Sequence, residues 1–123
     1  MARHNELGKW GEELAVERLG ALGFSIEERN WRMGRHEIDI IARKDELIVV
    51  AEVKTRSERD TDPLEAVDKR RIQSMVRAAE AYLGTRDTHF DVRFDLFAIN
   101  GSPDDYSLEH VPDAFFAPLR TYR

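Results

Sequence analysis

Asp39, Glu52 and Lys54 are the residues whose types and spacing could do chemistry in this chain. They stand in the stretch from Glu37 to Lys54, EIDIIARKDELIVVAEVK. Two apolar runs rich in Ile and Val, Ile38 to Ala42 and Leu47 to Val53, flank a charged break of Arg43, Lys44, Asp45 and Glu46. That pattern predicts a β-hairpin. Side chains alternate along a strand, so Ile48, Val50, Glu52 and Lys54 share one face and Leu47, Val49, Ala51 and Val53 the other. An acid and an amine ending an apolar face are costly to desolvate without compensation, which a cation and a phosphate would supply. In the first strand Glu37, Asp39 and Ile41 share a face, and burying Ile41 with Ile48 carries Asp39 towards Val50 or Glu52. The trio then suits metal-assisted phosphodiester hydrolysis. Two carboxylates would hold a magnesium-type ion that keeps several waters, and the ammonium would stabilise charge on the phosphate. The same spacing is also common on a solvated strand face.

The elements that must position this trio begin with an amphipathic helix. Asn5 reads as its N-cap, Leu7, Trp10, Leu14, Ala15, Leu19 and Leu22 recur at three- and four-residue steps, and Gly23 ends it. Glu12 falls on the flank of the apolar stripe and Glu13 points away, so Glu12 is the inward-facing acid, either functional or a boundary carboxylate paired to an Arg. Gly8 and Gly11 weaken the helix relative to Ala, which suggests close approach of a backbone or a ligand. A strand follows from Phe24 to Arg32, with Trp31 as core or stacking platform. It runs into a basic turn of Arg29, Arg32, Arg35 and His36, which would either grip phosphates or face solvent.

Beyond Lys54, TRSERDTD reads as a surface loop in which Arg56 continues the face of Glu52 and Lys54. Asp62 as cap, Pro63 at the first position and Glu65 three residues after the cap open a second helix. Its stripe is Leu64, Val67, Ile72, Met75, Val76, Ala79, Tyr82 and Leu83, and Gly84 ends it. Asp68 and Arg71 lie within the stripe. They would pair with each other, or Arg71 would reach substrate. Val92 to Ile99 carries large apolar groups on both faces, as an interior strand does. Asn100-Gly101 signals a turn, Tyr106 to Val111 a last strand, and Ala114, Phe115 and Phe116 a cover for the open end of the core. The order gives an α/β domain with a single mixed β-sheet flanked by helices.

At 123 residues the chain is expected to form one domain, residues 1–123. It has no Cys, so disulfides and thiolate metal sites are excluded, and its four His share no ligand spacing that would support a zinc hydrolase. Charges at the very start argue against a signal peptide, and no apolar run is long enough to span a bilayer, so a cytoplasmic protein without membrane contact is expected. A net charge of −5 argues against binding nucleic acid through the overall field, though it leaves room for a local basic surface.

Asp39 with Glu52-Val53-Lys54 resembles the D...ExK motif of the PD-(D/E)XK nuclease superfamily. Taken with Gly8-x-x-Gly11-Glu12-x-x-Ala15, Arg29-Asn30-x-Arg32, Glu37-Ile38-Asp39, Glu52-Val53-Lys54-x-Arg56, Glu65-Ala66-Val67, Ala79-x-x-Tyr82-Leu83, Arg93-Phe94-Asp95 and Ala114-Phe115, nearly the whole chain resembles the YraN-like family. That is a predicted endonuclease family similar to archaeal Holliday-junction resolvases. The resemblance implies a restriction-endonuclease-like core, α-β-β-β-α-β-β. It implies Glu12, Asp39, Glu52 and Lys54 as catalytic residues, with Asp39, Glu52 and the Val53 carbonyl on Mg²⁺ or Mn²⁺. His36 stands where the family usually has Gly, and Arg71 where it usually has Lys, which keeps the charge but not the compact ammonium. The expected activity is magnesium-dependent hydrolysis of duplex or branched DNA, with Arg29, Arg32, Arg35, Arg56 and Arg71 on the nucleic acid. A homodimer is one option for assembly. The alternative is a non-catalytic nucleic-acid-binding or protein-interaction module on the same fold.

Overall fold

The computed structural model describes residues 2–57, 68–84 and 89–115. The expected helix start at Asp62, Pro63 and Glu65, with Leu64 and Val67, lies outside the described residues, as does Phe116. The elements are α1 (Ala2–Ala21), β1 (Ser25–Met33), β2 (His36–Lys44), β3 (Leu47–Arg56), α2 (Lys69–Leu83), β4 (Asp91–Ser102) and β5 (Asp105–Val111). This is the expected order, α-β-β-β-α-β-β.

One five-stranded sheet is laid out β1-β2-β3-β4-β5. The β3–β4 pair is parallel and the other neighbours are antiparallel, so the sheet is mixed. The charged break between β2 and β3 narrows to a two-residue turn, because Lys44 pairs with Leu47, and Asp45 takes a left-handed φ of 56° there. Parallel β3 and β4 need a crossover, and α2 lies within the connection between them.

Each face of the sheet is closed by one helix. On the α1 face Ala15 and Leu19 pack with Ile40, Ala42, Val49, Ala51, Phe97 and Ile99. On the α2 face Met75, Val76, Ala78, Ala79 and Tyr82 pack with Ile38, Ile41, Ile48, Val50, Phe94, Leu96 and Phe115. Buried apolar groups on both faces of β3 and β4 are what interior strands require, and Val92 to Ile99 is such a strand. Phe115 covers the α2-side core as expected, tied down by the Ala114 N–H donating to the Phe94 carbonyl at 2.7 Å. Trp31 is core as well, edge-on to Tyr82 with ring centroids 5.3 Å apart.

Three boundaries depart from expectation, the first being that of α2, which begins at Lys69 with an extended Asp68 as its cap and not at Pro63, so Asp68 caps the helix and does not lie within its stripe. Helix α1 already runs through Asn5, because Ala2 and Arg3 are good helix formers that extend it by a turn, so Asn5 is not its cap. At its other end Gly23, with φ 96°, closes a Schellman motif: the Phe24 N–H donates to the Leu19 carbonyl and the Gly23 N–H to that of Gly20. Leu22 therefore falls past the helix and is exposed. Asn100-Gly101 is not the turn between β4 and β5. Both residues stay in the ladder, paired with Ser107 and Tyr106, and the chain reverses at Pro103-Asp104. Gly101 has φ 117°, and a Cβ there would collide with the backbone of Asp105 and Tyr106, so the glycine serves a distortion inside the strand.

Candidate active site

The site forms where β2 parts from β3. Pairing between them runs from Lys44↔Leu47 to Ile40↔Ala51, whereas β3 stays paired with β4 as far as Arg56. Beyond Ile40 the backbone ladder is replaced by a side chain: Oδ2 of Asp39 accepts the Val53 N–H at 2.8 Å. A half-buried N–H left over where the strands part is thereby satisfied.

A backbone distortion in β1 lies at the same level. Asn30 lies opposite Asp39, between the pairs Arg29↔Ile40 and Trp31↔Ile38, and has φ 53°. Asn tolerates this left-handed conformation better than most residues. Alternation breaks at the same level: Ile38 packs with Ile41 on the α2 face, not with Ile40 on the α1 face. The expectation that Asp39 simply shares the face of Glu37 and Ile41 is corrected accordingly. Its side chain reaches sideways across the gap to β3.

Glu52 is 3 % exposed, on the α2 side of β3, where Arg71 of α2 grips it in a fork. Arg71 Nη2 donates to Oε1 at 2.7 Å and Nε to Oε2 at 3.1 Å. Lys54 Nζ lies 3.5 Å from Oε2 and is one-third exposed. The Asp68 carboxylate accepts the Arg71 backbone N–H at 2.9 Å as the cap of α2, so Asp68 orients the helix and leaves the guanidinium to Glu52. His36 shares a hydrogen bond of 2.8 Å with Ser74 through Nδ1, tying the start of β2 to α2 beside the site.

Burial pushes the Asp39 carboxyl from the usual 3.8 up to about 8, aided by the charge of Glu52 and a hydrogen bond to it, against the Val53 N–H and Arg71. Two carboxyls in one half-buried place cannot both ionise freely, so Asp39 keeps its proton at neutral pH. Burial works against the Arg71 charge, but the hydrogen bond and charge of Glu52, with Asp39 and Glu37, outweigh it and raise its pKa above the ordinary arginine value. Glu52 is thus held between Arg71 and Lys54, and the next cation to enter would find it already engaged.

The residues fit a small hard cation in one respect. Two carboxyls converge where β2 leaves β3, and burial, with the charge of the other, keeps one of them protonated. Among the described residues no group of three or more His, Cys, Asp or Glu gathers to form a complete cage. The donor set suits a magnesium-type ion, which binds through one or two carboxylates and leaves positions for water and phosphate.

The other expected site residues are dispersed. Glu12 accepts from Asn30 Nδ2 at 3.2 Å and Arg29 Nη2 at 3.4 Å, the pairing foreseen for a boundary carboxylate. Among the described residues no hydrogen bond or ion pair joins Glu12 to Asp39, Glu52 or Lys54; it reaches the site through Asn30. Gly11 seats α1 against β3, since a Cβ there would overlap Thr55 Oγ1, whereas Gly8 faces open space. Arg29 also pairs with Glu13 at 3.1 Å, and Arg32 lies 3.7 Å from Glu37. Arg35 and Arg56 are exposed.

Sequence reasoning gave Asn30 no role beyond its place in the family motif and passed over Arg70 and Arg77. Asn is disfavoured within strands, and one opposite Asp39 was the available signal of a distortion. Arg70 and Arg77, two helical turns apart, line a cavity of about 490 Å³ with Arg35, His36, Arg71 and Ser74. A larger cavity, about 910 Å³, lies at the opposite end of the sheet near Leu47 and Asp91. The buried Asp95 beside it is saturated by a bidentate bond from Arg93, by His110 Nε2 at 2.8 Å and by the Asp113 N–H at 3.0 Å. These contacts fasten β4 to β5 and the turn beyond, a structural use of the charge.

No helix among the described residues is long and apolar enough to cross a membrane. The model of the Uncharacterised protein family UPF0102 matches residues 11–99, a span that holds Glu12, Asp39, Glu52, Lys54 and Arg71. A UPF0102 protein of Bacteroides thetaiotaomicron is 45% identical over 120 residues, covering 97% of this chain and 99% of its own. One from Flavobacterium johnsoniae is 44% identical over 121 residues, covering 94% and 98%, and one from Phocaeicola vulgatus 39% identical over 120 residues, covering 97% and 99%. With a family match over most of its length and relatives of this identity along nearly their whole length, the chain belongs to the UPF0102 family.

Proposed function

We propose that this protein is a magnesium- or manganese-dependent DNA endonuclease that hydrolyses phosphodiester bonds. The observation that carries the reading is the meeting of Asp39 and Glu52 where β2 leaves β3, with Lys54 Nζ 3.5 Å from Glu52 and one-third exposed. The resemblance to junction resolvases adds branched DNA to duplex DNA as substrate, and a cytoplasmic setting accords with DNA as partner.

Asp39, Glu52 and the Val53 carbonyl would hold the cation, which when bound supplies Lewis-acid polarisation of a phosphoryl oxygen and activation of water. Asp39 gives up its proton as the site loads. Arg71 holds Glu52 in one orientation beforehand, and its guanidinium neutralises the carboxylate while the site is empty of substrate. Lys54, compact, charged and one-third exposed, is placed to stabilise negative charge building on the phosphate. Glu12 holds Asn30, and so the distortion opposite Asp39; on this reading it positions and does not touch the reacting atoms.

The pairing of Glu52 with Arg71 favours the second reading, a binding module on the same fold whose carboxylate is permanently neutralised. Single-turnover cleavage of duplex and four-way-junction DNA, with protein in excess, separates the two. Lys54→Ala is expected to cut the rate by on the order of 10² or more with DNA binding little changed, because it removes an interaction made in the transition state. A folded Lys54→Ala protein that cleaves at the wild-type rate removes the nuclease assignment for this site.

A further inference from the structure

We propose that the groove along the open side of α2 is the DNA backbone-binding surface of this protein, with Arg70 and Arg77 each on a phosphate and Arg35 on a neighbouring one. The inference rests on the nuclease reading for its choice of ligand, but the groove stands on its own geometry. Four guanidinium groups, from Arg35, Arg70, Arg71 and Arg77, line it against a single carboxylate, Asp68, whose Oδ1 accepts the Arg71 N–H. This concentration of positive charge sits in a chain of net charge −5.

The arginines around the site divide into two sets. Arg29 is engaged by Glu12 and Glu13, and Arg32 lies against Glu37. Arg35, Arg70 and Arg77 are exposed and make no ion pair among the described residues. Phosphate contact therefore moves from the β1 side of the site to the α2 side. Arginines scattered on a helix would ordinarily be no more than a solvated face. Here they line a concavity anchored by the His36–Ser74 bond, and Arg71 joins it to the site, since it both lines the concavity and grips Glu52.

The spacing also suits a nucleic-acid strand. Residues 70 and 77 are seven apart, about 10.5 Å along a helix axis. Both residues lie on one face of α2, far enough apart for their long side chains to take separate phosphates of a strand passing along it.

The test measures binding of a fluorescent duplex and a four-way junction in EDTA, across a salt titration, so that it is independent of cleavage. Arg70→Gln/Arg77→Gln removes two exposed charges and keeps helix propensity, so the fold is retained, and a melting curve checks this. Affinity at 50 mM salt is expected to fall roughly tenfold or more, and the slope of log K against log salt to become shallower by about 1.8, or 0.9 for each lost phosphate contact. The charge-matched Arg18→Gln/Arg43→Gln, at the other end of the sheet, is expected to keep both the affinity and the slope. An unchanged slope in folded Arg70→Gln/Arg77→Gln, equal losses in the two double variants, or no DNA binding by the wild type overturns the groove assignment. If the slope falls as expected but wild-type protein with Mg²⁺ and Mn²⁺ cleaves neither DNA, the groove stands and the nuclease reading falls.

Discussion

The Asp39 carboxyl gives the sharpest quantitative prediction, because its proton and a cation compete for the same place. With its pKa raised to about 8 by burial and by Glu52, Asp39 is mostly protonated at pH 7, whereas an Asp in the unfolded chain is ionised. The folded, cation-free protein therefore holds a proton that the unfolded chain releases. Stability from this group is fully present below pH 3.8, is eroded as pH climbs, and is lost once pH passes about 8. A displacement from 3.8 to about 8 corresponds to a few kcal/mol, roughly 6 at most, at about 1.4 kcal/mol per tenfold change. In EDTA, Asp39→Asn should thus melt higher than wild type at pH 8 to 9, with the gain shrinking towards pH 4. Loading with Mn²⁺ reverses the sense. A carboxyl must be ionised to bind the ion, so binding at pH 7 should release about 0.9 proton, and apparent affinity should fall by roughly tenfold for each pH step of one below 8. Titration calorimetry at pH 7 in two buffers of different ionisation enthalpy counts that proton. Binding that releases no proton, or that survives Asp39→Asn unchanged, refutes the account of Asp39 as the group displaced by the cation.

Two further substitutions probe the supports of the site. Arg71→Gln removes the fork on a carboxylate that is only 3 % exposed, so it should destabilise the cation-free protein by about 3–5 kcal/mol, as breaking a buried pair does, while Mn²⁺ raises its melting temperature more than that of wild type; equal Mn²⁺ shifts in the two proteins would show that Arg71 and the cation do not compete. Gly11→Ala gains up to ~1 kcal/mol of helix propensity but must push against Thr55, where overpacking costs about 1–3 kcal/mol, so thermal melting should show a net loss that Thr55→Ser leaves in place, because the overlapping Oγ1 remains, and Thr55→Ala relieves.

What the sequence made legible, and what it did not, follows the range of the forces concerned. Periodicity is local, and it located all seven elements, because the apolar stripe of α2 and the two apolar faces of β3 and β4 are written in residues a few positions apart. It also carried Asp39 to Glu52, since the hairpin places them within one strand spacing whatever the remainder of the chain does. It misplaced the reversal after β4, where Asn100-Gly101 has the composition of a turn but the β5 partner holds both residues in register. Pairing energy from a neighbouring strand outweighed local preference there. The charges were the least legible part, because an ion pair depends on distances across the fold that no spacing along the chain encodes. Arg71 is 19 residues from Glu52 and three from Asp68, and local reasoning offered Asp68; the backbone took Asp68 for the cap, and the guanidinium crossed to the strand. Arg29 is 17 residues from Glu12, so its engagement appears only when α1 is laid on the sheet. The pairing therefore decides which basic residues are left to meet a phosphate, and Arg70 and Arg77 of α2 are among them. For the same reason the distortion at Asn30 matters more than its size. A residue in the left-handed region lies opposite Asp39 at the level where β2 and β3 part, and there the Val53 N–H meets a carboxyl in place of a carbonyl. That exchange is what converts the end of a sheet into a place where two acids and a lysine stand together.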